Sequence, residues 1–555
     1  MERPRLSMRL TVVAVLSLSC ILGEQSYCAV AHTKAHKKTI VESEHAPHAH
    51  EMDVVNFVRA KAAATGHMQG TNAPANTQKI IEAAEAKRLE IRKYLNIDDK
   101  ADGAKWLDEL LFFTHERSKD MVKNKFKESI KSGTFKVGVM GISTTAGHDC
   151  HHNQSYVHVF QRHMQTVMNT ANVRFETRNQ GMGGLGPLPN TLCVEAIVGN
   201  DVDVIVWDYM MMAPRADCSV EFFTRAAQAM PSEPVVLMWQ GGVWLPETGK
   251  FDGKNVKPKR SNPKQECNRA WMVNYYSGIG AHSADLGVVL HYLAYLGGVR
   301  SLENGTDPLF MDPLKGAPTE PDFSEPRYTP YTGQAQGRRR LARHHPGPMF
   351  HRIWGLTWAH SYLGLLIDAM HEVANVDHVA PYKRQTNQVK GCDKKFCENV
   401  LPKCHITLRP RSSISLPLED LAEPGHKWQI IDGDGRAKVS AEYGYVDLKM
   451  VLSAYPKDGP ITLKFNVEHP DLPVTLCEVP CPWGRCKQQR VPMLGNVKIE
   501  FDGTVITDFP NVKPFTQKDM CFVVVASALK GEHRLTVTAA GGENNNVIFS
   551  HLIHY

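Results

Sequence analysis

Strand-like and helix-like segments alternate between residues 133 and 373, and this alternation constrains the fold more than any other feature of the sequence. Short runs rich in Val, Ile and Phe are separated by longer segments with apolar residues at helical spacing. Such alternation implies an α/β fold, with a parallel sheet covered by helices on both faces. The predicted strands are Phe135–Met140, Val173–Arg178, Val202–Trp207, Pro234–Trp239 and Gly298–Leu302. The predicted helices are Gln154–Asn169, Val220–Met230, His282–Leu296 and Met349–Val373.

The stretch from Gly141 to Asp149 follows the first predicted strand directly and contains the candidate nucleophile, Ser143. Ligands of open parallel sheets bind outside the carboxyl ends of the strands, where this stretch falls. A Ser at such a turn can act as a nucleophile. It can equally be a turn residue or a helix cap, because its hydroxyl bonds nearby backbone N–H groups. The residues alone leave both interpretations open.

Two motifs give the chain a resemblance to the SGNH (GDSL-like) hydrolases. Gly-x-Ser-x-Thr-Ala-Gly at residues 141–147 resembles the first motif of that family, whose Ser is the nucleophile, although Ile142 stands where an Asp is usual. The segment Asn179–Gly184 is similar to the family's Asn-x-x-x-x-Gly segment and puts Gly184 at the position of an oxyanion donor. Without the resemblance, this segment is a flexible Gly-rich turn.

The other two family motifs are altered. The third ends in an Asn that donates to the oxyanion, but here the strand runs into Asp208 and then Tyr209 and three Met, whose side chains carry no N–H. The fourth, Asp-x-x-His-Pro, aligns His345 with the general base and has Ala342 at the Asp position. A Ser–His pair can persist, because the third member orients the imidazole without taking the proton.

The resemblance covers roughly residues 133–375 and implies a flavodoxin-like sheet with an esterase site. Ser143 would attack the ester, His345 would take its proton, and the N–H groups of Ser143 and Gly184 would hold the oxyanion. No cofactor and no metal are predicted. Further candidates are Asn179, Asp208 and Asp149, with His344 and His351 as fallback bases.

Several of these residues also have a plain structural interpretation. Asp149 is the acid closest in sequence to Ser143 that can orient His345, but it is also suited to cap a helix that begins near Asn153. His344, His345 and His351 can belong to a basic, solvated loop before a helix. Residues 303–348 are rich in Pro, Gly and Arg and are predicted to form a long loop.

The N-terminal segment predicts secretion. Arg3, Arg5 and Arg9 precede a short apolar core, Leu10–Leu22, and small residues at Ala29–Ala31 are typical of a cleavage site, so residues 1–31 are interpreted as a signal peptide rather than a retained anchor. Beyond it we expect no contact with a membrane. Disulfides and glycosylation at the sequons of Asn153 and Asn304 agree with secretion.

Thirteen cysteines sharpen that prediction. In an oxidising compartment most of them should pair, and local disulfides are expected among Cys477, Cys481, Cys486 and Cys521. A zinc site is the competing interpretation of the Cys clusters.

The remaining regions differ in composition. Residues 32–76 form a His-rich segment predicted to be disordered, and residues 77–132 form a helical region with helices at Thr77–Tyr94 and Ala101–Ile130. The hydrolase-like domain spans 133–385, and a Cys-rich linker spans 386–404. Short strands separated by turn residues, for example Asp502-Gly503, predict an all-β sandwich at 405–555. They are Ile406–Leu408, Trp428–Ile431, Lys438–Glu442, Ile461–Val467, Val474–Leu476, Val497–Phe501, Phe522–Ala526 and Leu535–Thr538.

Two functions remain open from the sequence. The first is a secreted SGNH-type serine esterase or acyl hydrolase that acts on acylated glycans or lipids, with a small-molecule or glycan ester as substrate. The alternative is a catalytically degenerate secreted glycoprotein of the same fold that binds a ligand or glycan without hydrolysis. The net charge of +6 is small for 555 residues, and no basic stripe interleaved with aromatics appears, so nucleic acid is not a predicted partner.

Overall fold

A computed structural model describes most of the chain beyond residue 72. The described residues are 73–94, 112–113, 116–148, 151–209, 219–239, 280–283, 348–373, 400–408, 412–432, 450–478, 495–509, 521–543 and 546–555. They belong to one compact unit, Asn72–Tyr555. Within these residues, no helix has both the length and the apolar character needed to cross a membrane. The domain boundaries predicted from composition stay predictions.

In the first half of this unit, the residues that the structure describes form a six-stranded sheet. Its strands are β1 (Phe112–Phe113), β2 (Thr134–Gly141), β3 (Arg174–Gly181), β4 (Val204–Asp208), β5 (Val235–Trp239) and β6 (Gly280–Ser283). The spatial order is β1-β6-β5-β4-β2-β3, and all neighbours pair in parallel except β1, which is antiparallel to β6. Counting only the parallel strands in chain order, the order is 2-1-3-4-5, that of flavodoxin-like sheets. The predicted parallel sheet is confirmed.

Helices cover both faces of this sheet. They are α1 (Ala73–Tyr94), α2 (Glu116–Ser132), α3 (Ser143–Ala146), α4 (Tyr156–Met168), α5 (Val194–Val198), α6 (Ser219–Ala229) and α7 (Pro348–Val373). Alternate residues of a strand point to opposite faces. Accordingly, Val204 and Val206 pack with α1, α2, α4 and α7, whereas Ile205 and Trp207 pack with α5 and α6. Strand β4 is buried throughout, as expected of a strand covered on both faces.

Three local predictions need correction. Phe112 lies in strand β1 and not in a helix. Helix α2 covers the C-terminal part of the helix predicted over Ala101–Ile130, and residues 101–111 and 114–115 of that prediction lie outside the described residues. His282 lies in strand β6, because pairing with β5 outweighs the weak local preference of this segment. Strand β3 continues through Gly181, so Asn179 lies inside the strand and not in the turn after it. The predicted strand Gly298–Leu302 and the loop 303–347 lie outside the described residues.

In the described part of the C-terminal region, the strands form three further sheets. Their strands are β7 (Lys403–Ile406), β8 (Leu416–Pro417), β9 (Gln429–Asp432), β10 (Met450–Ala454), β11 (Pro460–Val467), β12 (Val474–Cys477), β13 (Val497–Phe501), β14 (Thr504–Ile506), β15 (Cys521–Val525), β16 (Gly531–Ala539), β17 (Val547–Phe549) and β18 (His551–His554). The sheet orders are β17-β10-β9, β11-β16-β13-β14 and β15-β12-β18-β7-β8. Among these described strands, all pairs are antiparallel except β7 with β8. The all-β character is confirmed, and the two-sheet sandwich stays a prediction.

One hairpin shows why turns in this region could be predicted from the sequence. Asp502 and Gly503 join β13 to β14, and both have positive φ, 48° and 77°. Turns of this kind match the twist of the flanking strands and favour Asp-Gly.

The two regions share a core and a covalent link. Cys193 at the start of α5 forms a disulfide with Cys404 in β7, with a Cα–Cα distance of 5.5 Å. Around it, residues of the α/β region and of β7, β12, β15 and β18 form one apolar cluster. A second disulfide joins Cys477 to Cys521, in keeping with the local pairing predicted from the sequence. Cys481 and Cys486 lie outside the described residues.

Candidate active site

The carboxyl ends of three central strands meet where the sequence places Ser143. Gly141, the last residue of β2, is in register with Gly181 of β3 and with Asp208 of β4. Ile142 follows β2, and Ser143 then opens the one-turn helix α3, where it is half-buried. The predicted strand-to-loop position of Ser143 at this edge is therefore observed.

Backbone hydrogen bonds define the turn that carries Ser143. The N–H of Ala146 donates to Ile142 O at 3.0 Å, and the N–H of His148 donates to Ser143 O at 2.9 Å. Gly147 ends the turn with φ +83°, a left-handed conformation that glycine adopts without strain. The Gly of the Ser-x-Thr-Ala-Gly pattern is thus explained by the geometry of the turn.

Two glycines allow the turn to lie directly on the sheet. A Cβ at Gly141 would overlap Thr145 Oγ1 and lie 2.9 Å from Asp208 Cβ. A Cβ at Gly181 would overlap the backbone N of Ala146. Any side chain at either position would push α3 away from the strand ends.

Asn179 and Asp208 hold the same residue of the turn, Thr145. Asn179 Nδ2 donates to Thr145 O at 2.7 Å and lies 3.1 Å from Ser155 Oγ, and Asn179 Oδ1 accepts from the N–H of Gly181 at 3.1 Å. Thr145 Oγ1 donates to Asp208 Oδ2 at 2.6 Å. Both candidate residues therefore hold the turn in place through hydrogen bonds to Thr145. Thr145 itself was not among the candidates predicted from the sequence.

The carboxyl group of Asp208 is buried and has a second donor. Tyr156 OH donates to Asp208 Oδ2 at 2.8 Å. Burial raises the pKa of Asp208 to about 7, against the two hydroxyl hydrogen bonds, which lower it. Burial also raises the pKa of Tyr156, and the charge of Asp208 adds to that effect. The edge therefore contains a carboxyl group whose charge changes near neutral pH.

The segment with Gly184 lies beside the turn. The N–H of Met182 donates to Gly141 O at 2.8 Å, and a Cβ at Gly183 would overlap the ring of His148. Gly184 is half-buried with φ +73°. His148 is a buried imidazole between the two loops, and the sequence reading did not single it out because it lies outside the family motifs.

His351, one of the predicted fallback bases, does not belong to the basic, solvated loop that was its structural interpretation. It lies in the first turn of α7 and is fully buried. Its Nδ1 accepts from the backbone N–H of Tyr156 at 3.2 Å, and its ring stacks on that of Tyr156 with centroids 6.0 Å apart. A nitrogen that accepts this bond has its lone pair engaged, so His351 stabilises the start of α4.

Three candidates lie outside the described residues: Asp149, His344 and His345. The helical turn that Asp149 was predicted to cap begins at His152, and His151 occupies its N-cap in a capping box with Gln154. Among the residues that the structure describes, no group of three or more His, Cys, Asp and Glu side chains is placed to hold a metal ion.

The chain matches no protein-family model and no curated protein. Similar solved structures include a two-domain esterase active on acetylated mannans. The crystal structure with mannopentaose has a TM-score of 0.36 at 13% identity, covering 77% of this chain and 93% of that chain. A second crystal structure of a two-domain esterase active on acetylated mannans has a TM-score of 0.38 at 12% identity, covering 77% of this chain and 94% of that chain. Similarity at this level does not define the function of this chain.

Proposed function

We propose that this protein is a secreted serine esterase of the SGNH type that hydrolyses acyl esters of glycans or lipids. The observation that carries the proposal is the position of Ser143, at the start of a one-turn helix on the carboxyl edge of the parallel sheet. The segment with Gly184 lies along the same turn, through the contact of Gly183 with His148. A nucleophile and backbone donors from two adjacent loops are what acyl transfer requires.

The mechanism assigns one role to each group. Ser143 Oγ attacks the acyl carbon, and His345 takes the hydroxyl proton and returns it to the leaving alcohol. The N–H groups of Ser143 and Gly184 stabilise the oxyanion. Water then releases the acyl group from Ser143 by the same steps.

The position of α7 supports His345 as the base. The chain enters α7 at Pro348, three residues after His345. The first turn of α7 meets α4 through the bond between His351 and Tyr156, and Tyr156 reaches Asp208 at the sheet edge. The three-residue connection from His345 to Pro348 spans at most roughly 11 Å, a short tether to the helix whose first turn contacts Tyr156, and this supports the choice of His345.

The oxyanion site is expected to be weak. Both amide hydrogens of Asn179 face Thr145 O and Ser155 Oγ, and β4 ends in the buried Asp208. Neither residue replaces the Asn of the third family motif. Loss of one oxyanion donor costs about 2.7–4 kcal/mol in the transition state, so we expect slow turnover.

A fluorophosphonate probe tests the nucleophile directly. The wild type should be labelled at Ser143, Ser143→Ala should lose the label, and Ser527→Ala, a change at an exposed serine, should keep it. His345→Ala and His344→Ala form a matched pair that identifies the base. Hydrolysis is then measured on a short acyl ester and on acetylated mannan, the polymer named for the structural neighbours. Absence of label on the folded wild type contradicts the esterase proposal.

The second candidate is a protein that binds an acylated glycan without hydrolysing it. The engagement of Asn179 and Asp208 with Thr145 favours it, because the third oxyanion donor is then not replaced. Calorimetric binding of an acetylated oligosaccharide to an unlabelled, inactive wild type would support this function. Secretion is tested separately, by sequencing the N-terminus of the protein recovered from the medium, which should begin after Ala31.

A further inference from the structure

We infer that Thr145 and Asp208 form a positioning pair that fixes the turn of Ser143 to the sheet and thereby sets the reactivity of Ser143. This inference rests on the proposed esterase function. Neither residue would touch the substrate. Their effect would pass through the backbone of α3, whose first residue is the nucleophile.

Helix geometry separates the two ends of the turn. Successive residues of a helix are rotated by about 100°, so Thr145 points roughly 200° away from Ser143. The Thr145 hydroxyl therefore points towards the strand ends while the side chain of Ser143 lies on the other side of the turn. Thr145 is fully buried and Ser143 is half-buried, as this arrangement requires.

The sheet holds Thr145 from two strands at once. Asn179 of β3 binds its carbonyl oxygen at 2.7 Å, and Asp208 of β4 binds its hydroxyl at 2.6 Å. The bond to the Thr145 carbonyl oxygen fixes the distance of the turn from the sheet. The bond from the Thr145 hydroxyl fixes the rotation of α3 about its axis, because the hydroxyl lies away from that axis. Rotation of α3 would move Ser143 Oγ relative to the donors of the Gly184 loop.

Gly141 makes the hydroxyl bond possible. The space that its Cβ would fill is taken by Thr145 Oγ1. The absence of a side chain at Gly141 therefore leaves room for the Thr145 hydroxyl to reach the Asp208 carboxyl group. If Thr145 only filled space in the core, this room at Gly141 would not be needed.

The acceptor of this bond is a carboxyl group, which binds the hydroxyl more strongly when it is ionised, above its pKa of about 7. Asp208 is 6% exposed and receives both the Thr145 and the Tyr156 hydroxyls on Oδ2. Hydrogen bonds to an ionised carboxylate are about twice as strong as neutral ones. Tyr156 belongs to α4, so the same oxygen also ties the turn to the helix that follows it.

The test compares Thr145→Ser, which keeps the hydroxyl, with Thr145→Val, which keeps the shape and loses it. Two quantities are measured: hydrogen exchange of residues 142–148 and the rate of fluorophosphonate labelling of Ser143. We expect Thr145→Val to speed exchange and to slow labelling by about ten- to a hundredfold, since a displacement of about 1 Å can cost roughly a hundredfold. We expect Thr145→Ser to keep both rates within about threefold of the wild type, because the hydroxyl bond to Asp208 is retained.

The outcomes separate this inference from the esterase proposal. If Thr145→Val and Thr145→Ser behave alike in exchange and labelling, the hydroxyl bond does not position the turn and the inference is wrong. If the wild type is never labelled, the esterase proposal fails, and the exchange data still decide whether the pair fixes the turn. If Thr145→Val does not fold, Thr145→Ala takes its place, because it removes the hydroxyl without adding volume beneath Gly141.

Discussion

Two buried polar clusters, one in each region of the molecule, respond to burial in opposite ways. At the edge of the parallel sheet, burial raises the pKa of Asp208 to about 7. In the C-terminal region, the pKa of His405 is lowered to about 4 and that of His554 to about 3, mainly by burial and with a smaller contribution from the charge of Lys403. The Nε2 atoms of these two histidines lie 3.1 Å apart. Both clusters favour their neutral forms, as a low-dielectric interior requires.

The difference lies in what each cluster holds. Asp208 accepts from two hydroxyls that belong to α3 and α4, so it connects the sheet to the elements around Ser143. His405 and His554 lie on the neighbouring strands β7 and β18, which are already paired through their backbones. Both regions therefore bury ionisable side chains. In the α/β region the buried carboxyl group holds the elements of the candidate site, whereas in the C-terminal region the buried histidines only pack within a sheet.

The largest expected effect concerns the covalent link between the regions. Replacing Cys193 and Cys404 by Ala should lower the free energy of unfolding more than replacing Cys477 and Cys521, because the loops they close differ in length, 211 against 44 residues. The chain-entropy relation gives roughly 5 and 4 kcal/mol as upper values. Urea titration of both double variants measures the order. A larger loss from the shorter loop would show that local strain or packing outweighs chain entropy.

Acid should weaken the C-terminal cluster. The folded pKa values of His405 and His554 are depressed, so their stabilising contribution is lost as pH falls through their unfolded value near 6.5 towards the folded values. At pH 5 each contributes a loss of about 1–2 kcal/mol relative to pH 8. The double variant His405→Gln with His554→Gln should show a flatter change in melting temperature between pH 8 and pH 5. An unchanged slope would mean that these histidines do not control the acid sensitivity.

Asp208 should act in the opposite direction. Its folded pKa is raised, so its contribution to stability is complete below the unfolded value of about 3.9 and is lost as pH rises through about 7. Asp208→Asn should therefore reduce the loss of stability between pH 5 and pH 8 by about 1–3 kcal/mol. The slope of the unfolding free energy with pH is the measurement, because the substitution also changes stability at every pH. A steeper slope in Asp208→Asn would contradict the raised pKa.

The smallest effects are expected at surface ion pairs, and they also differ between the regions. Glu372 of α7 pairs with Lys123 and Lys127 of α2, each at 2.5 Å, whereas Glu532 pairs with the more exposed Lys464 at 3.0 Å. Exposed pairs contribute about 0–1 kcal/mol. Glu372→Gln should cost about 1 kcal/mol and Glu532→Gln at most about 0.5 kcal/mol. Thermal melts at low and high salt compare the two, and an equal cost would mean that the second lysine adds nothing.

The sequence alone determined the elements with strong local signals. Short, nearly continuous apolar runs identified β2, β4 and β5. A parallel strand that is buried on both faces needs such a run, whichever strands lie beside it. The Asp502-Gly503 turn and the position of Ser143 just after β2 were readable for the same reason: each depends on a few adjacent residues. Strand β6 was missed because Gly280–Ser283 has little preference of its own and pairs only when β5 is in place.

Only the tertiary structure decided what the polar residues of the edge do. Asn179 lies 34 positions and Asp208 lies 63 positions after Thr145 in the sequence. Their hydrogen bonds to Thr145 form only when β2, β3 and β4 align. The sequence presents Asp208 as a carboxylate with no assigned role and Thr145 as part of a motif. The one-turn helix α3 directs the Thr145 hydroxyl towards Asp208, and the missing side chain of Gly141 leaves room for their buried hydrogen bond. Such partners are set by distance in space and not by spacing along the chain.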